Sequence, residues 1–381
     1  MKTGQNIFFY ILSNFINKKF QFLHLTRKFF YFRRPPKFPP GPPYIPILGS
    51  IPFLKGKGIE IFVDEYIMSF GDIVGTYIGA YKFVLINDWK TAKELFAREV
   101  STGRIENYTT AYARSSLGQN MGLITTDGRR WSSERSFTLK QLKNFGLTKK
   151  HLDSCILPQA KEAVQYLECL SKEKGFVQMD GTIFSVPVLN VIWQMITGVS
   201  LEREDKQTQK FLSDLNILFA RKTFIIASIF PWFRFVFPSL TGYNERLEVL
   251  RFGKDNVRKI IHEHKDTLNK QFPRDLIDAY LIEKEELFKE NPEASEEQLT
   301  MVCFDLIAAG AETTSTTLLW IIEYMILYPD VQEKCYAEIS QLIGVADVTL
   351  ADAERLTYCL ATVAEVQRLS AVAVSPIQHR Y

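Results

Sequence analysis

Residues 299–322, LTMVCFDLIAAGAETTSTTLLWII, are apolar on nearly every helical face but carry polar side chains at their midpoint. A helix that is apolar all round is buried, so this stretch predicts the central helix of a large helical domain. Glycine inside a helix costs about 1 kcal/mol relative to alanine, so Gly310 needs a reason. Either it makes room for a flat or bulky group beside Glu312 and Thr313, which could relay protons, or it is a packing glycine near back-bonded hydroxyls. The motif alone leaves both interpretations open.

The chain around this stretch predicts a mainly α fold with a small β region. Residues 72–88 alternate short apolar runs with glycine, which indicates an antiparallel hairpin. From residue 89 onward, helical periodicity takes over. The predicted helices are 89–98, 129–143, 150–172, 182–197, 205–220, 242–269, 273–289, 295–327, 329–343 and 357–369.

The N-terminal part is basic and the rest of the chain is slightly acidic. Residues 1–59 hold ten Lys and Arg and no Asp or Glu, whereas the remainder has 36 basic and 43 acidic residues. This favours an anionic membrane surface over nucleic acid, which needs basic charge clustered on the folded domain. An uncharged aromatic run at 3–17 precedes Lys18 and Lys19, so residues 1–34 are predicted to be a membrane anchor or interfacial segment. A disordered or cleaved leader is the alternative, and spanning versus lying flat stays open.

The next segment, 35–52, reads PPKFPPGPPYIPILGSIP and contains eight prolines. Proline removes backbone donors and fixes φ, so the segment is predicted to be a stiff, extended hinge between the anchor and a globular domain at 53–381. An SH3-type ligand or a simple linker is the alternative. The five cysteines are odd in number and show no C-x-x-C spacing, which argues against a disulfide framework or structural zinc.

Four short segments follow one another along the chain: the proline hinge PPGPPYIPILG, the W-x-x-x-R segment DGRRWSSERSFTLKQLKNFG, the A-G-x-x-T-T motif at 309–314 and the E-x-x-R motif at 365–368. In this order they resemble segments of the cytochrome P450 haem-thiolate monooxygenases, so the resemblance implies the cytochrome P450 fold over 35–381. Each is weak alone, but together they make a strong signal for a microsomal, family-2-like member.

The resemblance implies haem b as the cofactor. Trp131 and Arg135 are four residues apart on one helical face, and both carry donors suited to a carboxylate, which the resemblance identifies as a haem propionate. Without the resemblance, a Trp–Arg stack, a solvated arginine and a surface histidine are ordinary structural features. The cofactor-binding residues implied in this way are Trp131, Arg135, Arg104, Ala309, Gly310 and His379.

The implied reaction is activation of O2 at the haem iron and insertion of one oxygen atom into a lipophilic substrate. A fatty acid, a sterol, a sesquiterpenoid or a xenobiotic fits this description equally. Electrons would come from NADPH through NADPH–cytochrome P450 reductase, on the cytosolic face of the endoplasmic reticulum membrane. Thr313 would hydrogen-bond the bound oxygen, with Glu312 as the neighbouring acid. Substrate contacts are expected at Phe304, Asp305, Ala308 and Val374, although these residues are equally typical of a core.

The E-x-x-R motif places Glu365 and Arg368 one helical turn apart. The resemblance implies a buried, bidentate pair that stabilises the fold near the haem rather than taking part in catalysis. An exposed pair on a helix surface is the alternative.

No cysteine of this chain has the F-x-x-G-x-x-x-C-x-G context of the family's iron ligand, so we expect none of them to bind the metal. That segment would lie beyond Tyr381. Two hypotheses follow: an incomplete haem-thiolate monooxygenase that cannot complete the reaction as it stands, or a non-catalytic, membrane-associated helical protein or lipophile binder. The co-occurrence of Thr313, Glu312, Trp131 and Arg135 favours the first.

Overall fold

The computed structural model describes residues 34–54, 59–79, 81–104, 108–145, 149–179, 181–220, 230, 232–239, 241–373 and 377–380. The chain divides into two compact units, Met1–Ser101 and Thr102–Tyr381. The expected anchor at 1–34 lies outside the described residues apart from Arg34. Within the described ranges, no helix has both the length and the apolar character needed to cross a membrane.

The first unit is built on the antiparallel hairpin that the sequence predicts. Strand β1 (Ile73–Ile78) pairs with β2 (Tyr81–Ile86), and Ile73 lies opposite Ile86. Helix α1 (Ile59–Phe70), which the periodicity did not predict, precedes the hairpin, and α2 (Trp89–Phe96) follows it. Short 3-10 helices occupy Ile51–Leu54 and Glu99–Ser101.

The proline segment at 35–52 is folded onto β1 and is not a free spacer. The Gly75 N–H donates to the Pro40 carbonyl at 2.8 Å. The rings of Tyr44 and Tyr77 stack with their centroids 4.3 Å apart. Proline carbonyls can still accept hydrogen bonds, so a segment that cannot form a helix can pair with a strand edge.

The second unit is mainly helical, as predicted. Strands β3 (Gly103–Arg104) and β4 (His379–Arg380) form a short antiparallel ladder. A 3-10 helix lies at Ala353–Arg355. The described helices are α3 (Tyr108–Arg114), α4 (Gly128–Phe145), α5 (Lys149–Lys174), α6 (Ser185–Thr197), α7 (Lys206–Ala220), α8 (Phe233–Val236), α9 (Tyr243–Thr267), α10 (Leu276–Glu283), α11 (Glu285–Glu290), α12 (Pro292–Leu327), α13 (Pro329–Leu342) and α14 (Thr357–Ser370).

One predicted helix is divided in the structure. The helix expected at 273–289 is two helices, because Lys284 leaves helical geometry with φ −105° and ψ 18°. The Lys284 ammonium lies 3.6 Å from the buried Glu134 carboxylate, and this ion pair stabilises the residue at the break between the two helices. Helix α3 was not predicted, since its seven residues are too few to show a clear period.

The central helix of the sequence is α12, and it packs against α6 and α9. Asn291 caps its start by accepting a hydrogen bond from the Ala294 N–H at 3.2 Å. Burial is continuous over most of 297–308, but beyond Ser315 the helix is half-buried or exposed. The prediction of a buried helix is therefore correct for its first half, which positions the motif at 309–314 where the helix leaves the core.

Candidate active site

An open pocket of about 480 Å³ lies between the middle of α12 and the end of α14. Helix α14 ends at Ala371, which adopts left-handed geometry with φ 42° and donates its N–H to the Gln367 carbonyl. This turn directs the chain along the pocket. The lining residues are Thr313, Thr314, Thr317, Gln367, Ser370, Ala371, Val372 and Ala373. The A-G-x-x-T-T motif and the end of the E-x-x-R helix therefore meet at one site.

The hydroxyls of the motif are bonded to the preceding helical turn. Thr313 is exposed, and its Oγ1 donates to the Ala309 carbonyl at 2.7 Å. Thr317 and Ser315 do the same, to Thr313 at 2.8 Å and to Ala311 at 2.6 Å. A hydroxyl that donates to the backbone keeps its oxygen lone pairs available as acceptors. Thr313 therefore presents an acceptor oxygen to the pocket.

Gly310 is a packing glycine, which is one of the two interpretations that the sequence left open. A Cβ placed on Gly310 would overlap Cδ1 of Ile192 in α6, and Cγ1 of Ile192 would be 3.4 Å away. The missing side chain therefore allows α6 to approach α12. Gly310 faces Ile192, whereas Ala309 is exposed beside Thr313, and contact of either residue with a cofactor stays a prediction.

Glu312 is half-buried, and burial raises the pKa of its carboxyl above the ordinary value. No ion pair with another described residue opposes this shift. A carboxyl whose pKa is raised holds its proton closer to neutral pH, which suits a proton donor. Glu312 directly precedes the pocket residue Thr313 in the chain.

Two donor pairs join residues that the sequence analysis assigned to the cofactor: Arg104 with His379, and Arg135 with Trp131. The β3–β4 ladder sets Arg104 opposite His379, with Nη1 of the arginine 2.9 Å from Nδ1 of the histidine. In α4, the Arg135 guanidinium lies 5.4 Å from the centre of the Trp131 ring. Burial lowers the pKa of Arg104, and the positive charge of Arg135 lowers it further.

Repulsion between the positive charges of Arg104 and Arg135 is the second cause of this shift, after burial. The nearby Asp127 carboxylate acts in the opposite direction and raises the pKa of Arg104, but its effect is smaller than those of burial and of Arg135. One oxygen of Asp127 accepts the Arg104 backbone N–H at 3.0 Å and the Arg380 guanidinium at 2.8 Å. Converging guanidinium groups bind carboxylates with charge-assisted hydrogen bonds. The donor set therefore fits a group with carboxylate arms, such as the propionates of haem.

None of the chain's five cysteines lines the described pocket. Cys303 belongs to the buried core of α12, and burial raises the pKa of its thiol well above the ordinary value. Cys335 and Cys359 lie where α13 meets α14, and burial is the largest of the causes that raise the pKa of Cys359 to about 12. A raised pKa favours the neutral thiol over the metal-binding thiolate at Cys303 and Cys359.

The structure places three of the four residues expected to contact substrate, and the contacts themselves stay a prediction. Phe304 and Ala308 are buried in the core, and Phe304 packs so tightly on Gly253 of α9 that a Cβ there would overlap its ring. Val374 lies outside the described residues. Periodicity could not separate pocket from core here, because both are lined by apolar side chains.

Asp305 is part of a buried charge network. Its Oδ1 accepts from Arg114 Nη2 at 2.5 Å, and its Oδ2 accepts the backbone N–H groups of Leu123 at 2.7 Å and Ile124 at 2.9 Å. The carboxylate therefore ties α12 to the loop after α3. The sequence analysis missed Arg114, although an aspartate in an otherwise apolar helix requires a basic partner.

Glu365 and Arg368 form the bidentate pair that the motif suggests, with contacts of 2.7 Å and 2.6 Å. The expected burial is not observed, since the two side chains are 54% and 66% exposed. Helix α14 contacts α12 and α13, and Val366 is its buried residue. The pair faces solvent in the described part of the chain.

The chain is similar to known proteins over most of its length. The cytochrome P450 family model matches residues 39–381. "Farnesoate epoxidase" of Bombyx mori is 29% identical over 350 residues, which cover 90% of this chain and 70% of the relative. "Probable cytochrome P450 303a1" of Drosophila melanogaster is 30% identical over 369 residues, 91% and 72%. Human "Cytochrome P450 2J2" is 33% identical over 353 residues, 91% and 68%.

These matches define the class of protein as a haem-dependent monooxygenase. The chain belongs to the cytochrome P450 family. Family membership implies haem iron, O2 and electrons supplied by a redox partner. It supports a monooxygenase over a non-catalytic binder.

Proposed function

We propose that the protein is a microsomal monooxygenase that binds haem b and inserts one oxygen atom of O2 into a lipophilic substrate. Its electrons come from NADPH through NADPH–cytochrome P450 reductase. When bound, haem supplies the activation of dioxygen. The observation that carries the proposal is the set of two donor pairs, Arg104 with His379 and Arg135 with Trp131, whose arginines repel one another electrostatically.

In this proposal the two donor pairs hold the haem propionates. Arg104 and Arg135 supply charge, Trp131 supplies an indole N–H, and His379 orients Arg104 through the contact at 2.9 Å. Bringing two cations together costs free energy in the protein without an anion, and the propionates offset that repulsion. The two pairs thus favour a dicarboxylate over a neutral ligand.

The pocket beside α12 is proposed to hold the reacting part of the substrate. Thr313 Oγ1 donates to the Ala309 carbonyl and keeps its lone pairs available as acceptors, and burial raises the pKa of the adjacent Glu312 carboxyl, which suits a proton donor. Ala309 presents only a methyl group at the exposed face, so it leaves space for a ligand. These residues position a proton near the reaction centre.

The proposed location is the cytosolic face of the endoplasmic reticulum membrane. The division into an anchor at 1–34, a proline segment at 35–52 and a catalytic domain at 53–381 rests on the sequence pattern. The substrate class is lipophilic, and the printed name of the silkworm relative, farnesoate epoxidase, is consistent with that class.

The test is retention of haem by the full chain. Arg135→Ala removes one charge-assisted hydrogen bond, which is worth about 1.5–3 kcal/mol, so haem should transfer to excess apomyoglobin roughly 10- to 100-fold faster. Lys140→Ala is the matched control, because Lys140 is exposed on the same helix. Circular dichroism checks that both variants are folded. Equal haem transfer rates for Arg135→Ala and the unmodified chain would contradict the proposal.

A further inference from the structure

A buried histidine joins the end of α9 to the start of α10. His264 lies in the last turn of α9, and its side chain is only 7% exposed. Its Nε2 lies 2.8 Å from Oδ2 of Asp275, the buried residue that caps the N-terminus of α10. Its Nδ1 lies 2.7 Å from the Ile260 carbonyl oxygen. Both ring nitrogens therefore meet oxygen atoms inside the protein.

The two oxygen partners are acceptors, and this determines how many protons the ring of His264 carries. A backbone carbonyl has no proton to donate, and neither has an ionised carboxylate. The position of Asp275 at a helix N-terminus, where its Oδ1 accepts the Asp278 N–H at 3.0 Å, favours the ionised carboxylate. A neutral imidazole has one N–H and one lone pair, so one of its nitrogens would face an oxygen lone pair. Only the doubly protonated ring satisfies both contacts.

The charged groups around the ring favour the same state. Burial by itself would lower the pKa of His264, but the hydrogen bond and the negative charge of Asp275 outweigh burial, and the pKa of the imidazole is raised. Asp278 acts in the same direction with a smaller effect, and Arg274 pairs with its carboxylate at 2.7 and 2.9 Å. From α12, Cys303 is close enough to be affected by the Asp275 charge; burial and that charge raise the pKa of its thiol, which favours the neutral form.

We propose that His264 and Asp275 form a proton-dependent latch that holds the end of α9 against the start of α10. The latch is closed while the imidazole carries both protons. When the ring loses one proton, its lone pair faces either the Ile260 carbonyl or the Asp275 carboxylate, so one of the two contacts becomes repulsive. The end of α6 meets the same carboxylate, since a Cβ placed on Gly198 would lie 3.0 Å from Oδ2 of Asp275. The latch therefore lies where three helices meet.

The direction of the pH dependence follows from the raised pKa of His264. An imidazole whose pKa is higher in the folded protein adds stability at pH values below its pKa in the unfolded chain, which is near 6.5. That stability is lost as the pH rises through the pKa of the folded state. Between the two values the folded protein binds one more proton than the unfolded chain, so the equilibrium constant for unfolding should rise about tenfold per pH unit.

The test measures urea unfolding of the full chain between pH 6 and pH 10. His264→Gln removes the titrating group and should remove the tenfold dependence per pH unit. Asp275→Asn should also remove it, because the asparagine NH2 donates to Nε2 and the neutral ring then keeps both hydrogen bonds, while asparagine remains a good N-cap. His262→Gln is the matched control, since the His262 side chain is 60% exposed on the same helix; it should leave the dependence unchanged.

A second measurement uses the unmodified chain, so it does not require that a variant folds. Exchange of the imidazole C2 hydrogen for deuterium, followed by mass spectrometry across the pH range, gives the titration midpoint of His264. The midpoint should lie above 6.5, the ordinary value for histidine, and a midpoint at or below 6.5 would overturn the inference. Equal pH dependence of unfolding in the unmodified chain, His264→Gln and Asp275→Asn would also overturn it, as would the same loss of dependence in His262→Gln.

Discussion

Replacing Asp305 with asparagine tests whether this residue stabilises the fold or binds substrate. The carboxylate is 97% buried and accepts three hydrogen bonds, from Arg114 at 2.5 Å and from the N–H groups of Leu123 and Ile124 at 2.7 and 2.9 Å. Asparagine keeps one acceptor oxygen and replaces the other with an NH2 group. That NH2 must face at least one donor, so one hydrogen bond is lost.

The larger cost comes from Arg114, which is left as a buried cation without a counter-charge. Removing one partner of a buried ion pair typically costs 3–5 kcal/mol, so we expect Asp305→Asn to destabilise the domain by about 3–5 kcal/mol. Equilibrium unfolding in urea, followed by circular dichroism, measures the change. Asp255→Asn is the matched control; Asp255 is 64% exposed, and its substitution should stay within about 0.5 kcal/mol.

A double replacement separates the buried pair from the rest of the site. Changing Arg114 and Asp305 together to methionine and leucine removes both charges, so it should recover much of the lost stability. The backbone donors of Leu123 and Ile124 would still lack an acceptor, which limits the recovery. A loss below about 1 kcal/mol in Asp305→Asn, together with weaker substrate binding, would refute this reasoning and restore the substrate role.

Three more predictions concern the motif residues. Gly310→Ala should lower the free energy of unfolding by about 1 kcal/mol, because the cost of overlap with Ile192 exceeds the gain in helix propensity. Adding Ile192→Val removes the overlapping methyl group and should restore the stability measured by urea unfolding. A stabilising effect of Gly310→Ala alone would disprove the packing role. The raised pKa of Glu312 stabilises the folded protein at pH values below the pKa of this carboxyl in the unfolded chain, which is near 4.3. That stabilisation is lost as the pH rises through the higher pKa of the folded state. Glu312→Gln should therefore raise the melting temperature at pH 8, where the buried carboxylate is charged, and not at pH 4. Equal changes in melting temperature at the two pH values would contradict a raised pKa for Glu312. Glu365→Gln should leave the urea midpoint unchanged, since the pair with Arg368 is exposed, and a large shift would indicate a buried pair.

Helical periodicity was a sound guide to the second unit because its helices are long. The predicted ranges 329–343 and 357–369 correspond to Pro329–Leu342 and Thr357–Ser370. The prediction at 273–289 was wrong in one respect, since a helical pattern does not reveal a break that depends on a distant partner such as Glu134. Local pattern predicts local structure well and long-range contacts poorly.

The site divides in the same way. The W-x-x-x-R spacing was enough to place Trp131 and Arg135 together, because residues four apart share a helical face. The approach of Arg104 to His379 spans most of the chain and depends on the β3–β4 ladder; the resemblance, not the spacing, suggested it. His264 carried no motif at all, and only its two acceptors in the folded chain distinguish it.

The sequence by itself determined the mainly helical fold, the hairpin, the central helix and the family, because each is written in local periodicity or in short ordered motifs. Only the tertiary structure showed that Gly310 packs against Ile192, that Asp305 forms a buried ion pair with Arg114 and that Glu365 is exposed to solvent. The physical reason is that the burial of a side chain and the identity of its hydrogen-bond or ion-pair partner depend on residues far away in the sequence. A carboxylate or a glycine has the same local pattern whether it meets a ligand, a distant side chain or water.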